Sequence, residues 1–194
     1  AESGGVYSSY YELATKVKSL LDKKKIDECE KFFKKRSNKY AIIIDFINSK
    51  KNKNLKILEI GCSTGFLTAF LKAKGFNIFG TDISETAIKT ATEMFGNLYG
   101  LKERDTQYDI IFHTGVIGCV QSPKGFLNHY LSLLNKDGVM IFNAPNINSL
   151  KLLNEVWAYT PPPDLVYLFS ESSFSFLIDD RSFNLEIKKT YNYF

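Results

Sequence analysis

From Leu55 onward the sequence alternates short apolar runs with amphipathic stretches, and this alternation restricts the possible folds more than any other feature. Strands that alternate with helices form a parallel sheet with helices on both faces. The sequence therefore predicts a Rossmann-like, doubly wound, mostly parallel α/β sheet preceded by N-terminal helices. Five strands are expected, at 56–60, 77–80, 109–113, 139–143 and 185–191, and three helices, at 66–74, 84–95 and 123–135.

Residues 1–54 differ from the rest of the chain in charge and in periodicity. They hold 13 Lys and Arg against 7 Asp and Glu, and their apolar residues recur at helical spacing. A solvated helix face explains the lysine runs better than a phosphate-binding surface does, so no nucleic-acid partner is expected. With 194 residues, of which 44% are hydrophobic, the chain can bury one core. We predict one domain, in which a helical cap or lid at 1–54 precedes a core at 55–194 with an insertion at about 144–180.

The cysteines and the hydropathy pattern bear on the cellular compartment. Cys29, Cys62 and Cys119 are too few and too widely spaced to indicate a disulfide framework or a zinc cluster. No apolar run approaches the roughly 20 residues of a membrane span, and the first residues lack the pattern of a signal peptide. We therefore expect a cytoplasmic protein without a membrane span.

The stretch KILEIGCSTG, residues 56–65, places one acid inside the first strand and two glycines after it. In an open parallel sheet, ligands bind at the carboxyl ends of the strands. Gly61 and Gly65 let the chain turn sharply and let a ligand approach the backbone. Asp82 ends the second strand, where a carboxylate can accept hydrogen bonds from both hydroxyls of a ribose. Together these residues predict a ligand that contains adenosine.

The spacing of the glycines separates two kinds of adenosine ligand. A dinucleotide site is expected to contain G-x-G-x-x-G, with the pyrophosphate at the start of the helix. Here the loop is G-C-S-T-G, one glycine short and differently spaced. Glu59 would repel a pyrophosphate, whereas it suits a ligand that carries a positive charge. The loop therefore favours a cationic adenosine ligand over NAD or a flavin dinucleotide.

Several motifs in the same order resemble those of class I S-adenosylmethionine-dependent methyltransferases, in particular the small-molecule branch of the type 11/23 kind. The resemblance covers roughly residues 38–190. The motifs are EIGCSTG at 59–65, GTDIS at 80–84, YDIIFH at 108–113, PKGFL at 123–127, LNKDGVMIF at 134–142, NAPN at 143–146 and PPDLVYLF at 162–169.

The resemblance implies S-adenosylmethionine as the cofactor, S-adenosylhomocysteine as its product, and a set of binding positions. The methionine part would lie along the loop that Glu59 supports, the ribose at Asp82, and the adenine against Ile83 and Leu101. In the alternative interpretation, neither acid binds a cofactor: Glu59 is a capped buried acid and Asp82 is an acid at a helix N-terminus. The implied cofactor-binding residues are Glu59, Gly61, Cys62, Ser63, Gly65, Asp82, Ile83, Leu101, His113 and Thr114.

Two departures from the family pattern concern residues that some relatives use for a metal or for proton transfer. The family often has V-L-E-H-V after the fourth strand, where this chain has VIGCV at 116–120. The family segment P-P-E-H is here PPDL, at 162–165. The first departure removes both the acid and the histidine, and the second removes the histidine, so no metal is expected.

Methyl transfer from a sulfonium is an in-line displacement, which an enzyme accelerates by aligning the acceptor and excluding water. An oxygen acceptor of high pKa also benefits from a base. His113 is the candidate catalytic base, and its alternative role is a histidine that anchors the backbone beside the cofactor. His129, Glu155 and Asp164 are the weaker candidates for a base. Candidate acceptor contacts are Tyr7, Tyr11, Trp157 and Tyr159.

We therefore expect a bacterial methyltransferase that acts on a small molecule. By analogy within the branch, the acceptor is an oxygen of a sugar, a nucleotide-linked sugar or a capsular polysaccharide precursor. The main alternative is a non-catalytic S-adenosylmethionine-binding regulatory module. A nucleic-acid methyltransferase is the weaker alternative, because the chain lacks an N/D-P-P-Y/F motif after the fourth strand.

Overall fold

The computed structural model describes residues 4–104, 106–147, 165–178 and 183–187. Strands and helices alternate from residue 56 onward, which confirms the predicted Rossmann-like α/β fold. The elements are α1 (Gly4–Asp22), α2 (Ile26–Arg36), α3 (Asn38–Ser49), β1 (Lys56–Ile60), α4 (Phe66–Ala73), β2 (Asn77–Thr81), α5 (Glu85–Phe95), β3 (Tyr99–Gly100), β4 (Tyr108–Thr114), α6 (Pro123–Ser132), β5 (Leu134–Asn143) and α7 (Glu171–Leu177).

The strands form one sheet in the order β3-β2-β1-β4-β5. β1 pairs in parallel with β2 on one side and with β4 on the other, and β2 pairs in parallel with β3. The order along the chain therefore reverses beside β1. Ligands of open parallel sheets bind next to such a reversal, at the carboxyl ends of the strands. The loop that follows β1 is at this position.

The N-terminal helices pack with α4 and β1 in one core. Phe33 of α2 is fully buried, and its ring lies 5.1 Å from the ring of Phe70 on α4 and 5.5 Å from that of Tyr40 on α3. Glu30 of α2 adds polar links, since it accepts hydrogen bonds from Asn48 of α3 and from Lys74 at the end of α4. The lysines of residues 23–25 are exposed, but they lie in the turn between α1 and α2 rather than on the predicted helix face.

The chain divides into two compact units. The first contains α1 to α5, β1 to β4 as far as His113, and residues 134–141. The second contains residues 114–133 and the described residues from Phe142 onward. In the second unit, the ring of Phe174 on α7 lies 5.4 Å from that of Phe142 and 5.1 Å from that of Phe169. These three aromatic rings therefore pack against one another within the second unit.

Some predicted boundaries were wrong. β5 begins at Leu134 rather than at 139, and the sequence NKDG, which resembles a turn, lies within it. The side chain of Asn135 donates a hydrogen bond to Asp109 on β4 at 2.6 Å, which holds this part of the chain beside β4. Residues 185–187, the described part of the predicted last strand, are not in a strand. The short strand β3 was not predicted, because two residues give no periodicity.

Among the helices that the structure describes, none is both long and apolar enough to cross a membrane.

Candidate functional site

The loop after β1 has an unusual backbone. Gly61, Ser63 and Gly65 adopt left-handed conformations, with φ of 67°, 49° and 76°. Glycine reaches this region without a steric cost, whereas serine does so rarely. The Ser63 N–H donates a hydrogen bond to Asp82 at 2.8 Å, which compensates for the cost at that position. The loop is therefore held in a conformation that its two glycines make accessible.

Asp82 connects this loop to the start of α5. One carboxylate oxygen accepts from the Ser63 N–H, and the other accepts from the Ser84 N–H at 2.9 Å. Each carboxylate oxygen has a further lone pair, so the half-buried group can still accept hydrogen bonds from two ligand hydroxyls. The structure thus brings the predicted ribose acid and the predicted loop together. Asp82 is also the helix N-terminal acid of the alternative interpretation.

Glu59 lies at the base of the same loop and is only 3% exposed. The hydroxyl of Thr68 on α4 donates a hydrogen bond to its carboxylate at 2.5 Å. Burial raises the pKa of Glu59 to about 8, with a smaller contribution from the charge of Asp82, while the bond from Thr68 acts in the opposite direction. No ion pair between described residues involves Glu59. The acid is therefore capped, as in the alternative interpretation, and it has no cationic partner among the residues that the structure describes.

Three neighbouring side chains add no charge to this region. Burial raises the pKa of Cys62, Tyr40 and Tyr99 far above the ordinary values, and the charge of Glu59 adds to each shift. These groups are neutral at physiological pH. Glu59 and Asp82 are therefore the two side chains of this cluster that can carry charge near neutral pH, and both are acids.

Two apolar side chains are exposed at the same edge of the sheet. Ile83 follows β2 and is 97% exposed, and Leu101 follows the neighbouring strand β3 and is 46% exposed. The two strand ends are joined by a hydrogen bond from the Asp82 N–H to the Gly100 carbonyl at 3.3 Å. Exposed apolar surface is unfavourable in water, so these side chains are suited to an apolar ligand surface.

His113 lies beside the loop but is fully buried. It pairs in register with Ile60, the last residue of β1. Burial lowers the pKa of His113 to about 3, so the imidazole is neutral at physiological pH and is a weak base. Thr114, the last residue of β4, is half-buried and begins the second unit.

The predicted acceptor residues are only partly described. Tyr11 lies on α1 and is 56% exposed. Tyr7 lies in the first turns of α1, where the structure describes the backbone only, and Trp157 and Tyr159 lie outside the described residues. α1 does contact the loop, because the Thr64 hydroxyl donates to the Tyr10 carbonyl at 3.0 Å.

The departure at 116–120 has a structural explanation within the second unit. The Gly118 carbonyl accepts hydrogen bonds from the N–H groups of Val166 at 2.8 Å and Tyr167 at 3.0 Å. A Cβ atom at Gly118 would lie 2.5 Å from Leu165 and 2.8 Å from Pro145. An apolar contact thus lies where the family pattern has its acid. Within the described ranges, no three His, Cys, Asp or Glu side chains are arranged to hold a metal ion.

Sequence reasoning missed two residues of this site. Thr68 contacts Glu59, and Tyr99 donates a hydrogen bond to the Gly65 carbonyl at 2.7 Å. Thr68 is a polar residue within the apolar helix FLTAFLKA, which is a signal that could have been noticed. Tyr99 gives no such signal, because a single aromatic residue in a two-residue strand resembles any core residue.

Comparison with known proteins places this geometry in context. A family model described as a methyltransferase domain matches residues 32–187. A ubiquinone biosynthesis O-methyltransferase of Rickettsia prowazekii is 29% identical over 117 residues, which cover 54% of this chain and 46% of that protein. The corresponding protein of Rickettsia bellii is 30% identical over 116 residues, covering 54% and 48%. The chain spans about half the length of these curated relatives.

Solved structures show the same fold. The magnesium protoporphyrin IX methyltransferase of Synechocystis, crystallised with S-adenosylhomocysteine, superposes with a TM-score of 0.55 at 20% identity, covering 71% of this chain and 68% of that one. A plantazolicin methyltransferase, also crystallised with S-adenosylhomocysteine, gives 0.51 at 20% identity, covering 79% and 65%.

Proposed function

Because the chain belongs to the methyltransferase domain family, and within it to the class I S-adenosylmethionine-dependent enzymes of the type 11/23 kind, we propose that it transfers a methyl group from S-adenosylmethionine to an oxygen of a small molecule. One observation carries the proposal most directly. A buried acid, Glu59, and a hydrogen-bonded acid, Asp82, flank a loop with three left-handed residues at the carboxyl ends of adjacent strands.

The residues of this edge suit S-adenosylmethionine part by part. Asp82 would hold the ribose hydroxyls, and the backbone of Gly61, Cys62, Ser63 and Gly65 would hold the methionine part. Ile83 and Leu101 would pack against the adenine, because both side chains are apolar and exposed at this edge of the sheet. When bound, the cofactor supplies an electrophilic methyl group on a positively charged sulfur.

Glu59 would match the positive charge of the cofactor. Burial holds its pKa at about 8, so much of the carboxyl group is protonated at neutral pH. A nearby cation favours the ionised form of an acid. Glu59 would therefore lose its proton as the cofactor binds, while Thr68 keeps the ionised carboxylate hydrogen-bonded.

The weak basicity of His113 bears on the acceptor. We retain His113 and Thr114 as proposed contacts beside the cofactor, with His113 as an anchoring residue rather than the base first predicted. An imidazole with a pKa of about 3 removes a proton from a sugar hydroxyl inefficiently. A carboxylic oxygen is ionised at neutral pH and needs no base, and a phenolic oxygen, whose ordinary pKa is about 10, depends less on a base than a sugar hydroxyl does. A phenolic or carboxylic oxygen is therefore favoured over a sugar hydroxyl.

The names of the relatives support an oxygen acceptor. The Rickettsia proteins are named for O-methylation in ubiquinone biosynthesis, and a malonyl-[acyl-carrier protein] O-methyltransferase of Hamiltonella defensa is 25% identical over 108 residues. None of these names supports the sugar or capsular acceptor predicted from the sequence. Tyr11, Tyr7, Trp157 and Tyr159 remain predicted acceptor contacts, and the cytoplasmic location remains a prediction.

One observation favours a second function. The contact between Gly118 and Leu165 stands where the family pattern has polar residues, as it would in a non-catalytic module that binds the cofactor. Such a module would bind S-adenosylmethionine and transfer nothing.

Transfer of a labelled methyl group tests the proposal. The protein is incubated with S-adenosylmethionine labelled on the methyl group and with separate pools of phenols, carboxylic acids, nucleotide-linked sugars and RNA. We expect label in the phenol or carboxylic acid pool, and none with Asp82→Ala. Binding of the cofactor without transfer to any pool would favour the non-catalytic module, and label in RNA would contradict the proposed acceptor class.

A further inference from the structure

We propose that Tyr99 is a positioning residue of the cofactor loop, and that its hydroxyl, by holding the carbonyl of Gly65, sets the affinity of the site for S-adenosylmethionine. This inference rests on the proposed function. Tyr99 lies on β3, which β2 separates from β1 in the sheet, and its side chain reaches the loop after β1. None of the sequence motifs includes it.

Tyr99 acts at the point where the loop becomes a helix. Its hydroxyl donates to the Gly65 carbonyl at 2.7 Å. Gly65 also ends the loop, because its N–H donates to the Cys62 carbonyl at 2.9 Å, and it begins α4, because its carbonyl accepts from the Ala69 N–H at 2.9 Å. A bond at this single residue therefore fixes both the end of the loop and the start of α4.

Two glycines provide the space for the Tyr99 ring. A Cβ atom at Gly65 would lie 2.5 Å from the ring, and one at Gly80 would lie 3.0 Å from it. Gly80 is also the direct partner of Tyr99 in the pairing of β2 with β3. The ring is therefore enclosed by the loop and the sheet, so its hydroxyl keeps a fixed position relative to β2.

The hydroxyl contributes more to loop position than to packing. The ring belongs to a small apolar cluster with Cys62 and Ala91, for which a phenylalanine ring would be sufficient. The Gly65 carbonyl already accepts the helical hydrogen bond from Ala69, so loss of the hydroxyl leaves no acceptor unsatisfied. Burial and the charge of Glu59 raise the pKa of Tyr99, so the hydroxyl remains a donor throughout the physiological pH range.

The test compares Tyr99→Phe with Tyr108→Phe. Tyr108 is a matched control, because it is 2% exposed and its hydroxyl also contacts a backbone group, accepting from the Arg104 N–H at 3.1 Å. It begins β4 and therefore lies at the other end of the sheet from the loop. For each chain, calorimetry gives the Kd for S-adenosylhomocysteine and for S-adenosylmethionine, and thermal unfolding without ligand gives the Tm.

We expect Tyr99→Phe to raise both Kd values about fivefold, which corresponds to the loss of about one hydrogen bond. Its Tm should fall no further than that of Tyr108→Phe, whose Kd values should equal those of the parent chain. Hydrogen exchange of the amides of 62–66 should be faster in Tyr99→Phe only. This readout separates a displaced loop from a general loss of stability.

Three results would overturn the inference. If the parent chain binds the ligands and Tyr99→Phe binds them equally well, the positioning role is wrong while the proposed function stands. If Tyr99→Phe lowers the Tm much more than Tyr108→Phe does, and its Kd values rise only as much as the loss of stability explains, the hydroxyl is structural. If the parent chain binds neither ligand, the proposed function fails and the inference fails with it.

Discussion

The loop after β1 and the turn after β4 both depend on glycine, but for different reasons. Gly61 and Gly65 in the loop have left-handed backbones, and the polar groups around them belong to Asp82 and Glu59. Gly118 in the turn is not left-handed, and the space beside it is filled by Leu165 and Pro145. The first region is shaped by backbone conformation, and the second by contact with a distant part of the same chain.

This difference affects what each region can do. The loop after β1 carries an acid with no protein cation paired to it in the described part of the chain, so a ligand can complete it. The turn after β4 has its carbonyl hydrogen-bonded and its side packed by the chain itself. We therefore expect substitutions in the first region to change ligand binding, and substitutions in the second to change stability.

The largest expected effect is that of Asp82→Ala, which would disrupt the first region alone. The substitution removes the acceptor of two backbone N–H bonds and the proposed ribose contact. Because bonds to a charged group are worth about 1.5–3 kcal/mol each, we expect at least a 100-fold loss of affinity for S-adenosylhomocysteine, measured by calorimetry.

Asp109→Ala is the matched control for that substitution. Asp109 also accepts two hydrogen bonds, from the Lys56 N–H at 2.8 Å and from Asn135 at 2.6 Å, but it lies at the start of β4. It should lower the Tm and leave the affinity unchanged. Equal affinity in Asp82→Ala and the parent chain would show that the loop is not the cofactor site.

The next effect is the pH dependence that Glu59 introduces. Its pKa is raised from 4.5 to about 8 in the folded chain, so the protonated form is favoured by folding. The resulting stability is complete below pH 4.5 and is lost as the pH rises towards 8. Affinity for the cationic cofactor should change in the opposite direction, weakening by up to about tenfold for each pH unit below 8.

Glu59→Gln provides the comparison, because an amide has a similar shape and does not titrate in this range. Its affinity and its unliganded Tm should depend much less on pH between 5 and 8 than those of the parent chain. In Thr68→Val, the pH at which affinity and Tm change should be higher than in the parent chain. The substitution removes the hydrogen bond that favours the ionised form of Glu59. The same pH dependence in all three chains would exclude Glu59 as the titrating group.

The smallest effect concerns the second region. Gly118→Ala places a Cβ atom 2.5 Å from Leu165, and such overpacking costs about 1–3 kcal/mol. We expect a Tm lower by several degrees with an unchanged Kd for S-adenosylhomocysteine. The double variant Gly118→Ala, Leu165→Ala should recover much of the Tm. If Gly118→Ala binds S-adenosylhomocysteine more weakly while its Tm equals that of the parent chain, the second region affects binding and the proposed division of roles is wrong.

The same contrast explains what could be predicted from the sequence. The fold, the bounds of β1 and the positions of Gly61, Gly65 and Asp82 follow from local spacing, because strand periodicity and loop geometry are set by neighbouring residues. The acid Glu59 was predicted for the same reason. In the structure it is buried and bonded to Thr68, whereas its function remains a proposal.

The features that were missed depend on contacts between distant residues. Tyr99 reaches Gly65 from another strand, and Gly118 meets residue Leu165 far along the chain. No local pattern reports such contacts. β5 was placed too late because NKDG has the composition of a turn, while its strand conformation is supported by the bond between Asn135 and Asp109.

Binding of S-adenosylmethionine, S-adenosylhomocysteine and NAD at equal concentrations decides whether the loop after β1 is a site for a sulfonium cofactor. Thermal unfolding is measured with each ligand, since a ligand at 100 times its Kd adds about 2.7 kcal/mol of stability, which raises the Tm by several degrees in a chain of this size. We predict a higher Tm with the two sulfur ligands and an unchanged Tm with NAD. An equal increase with NAD, or no increase with any of the three, would contradict this prediction.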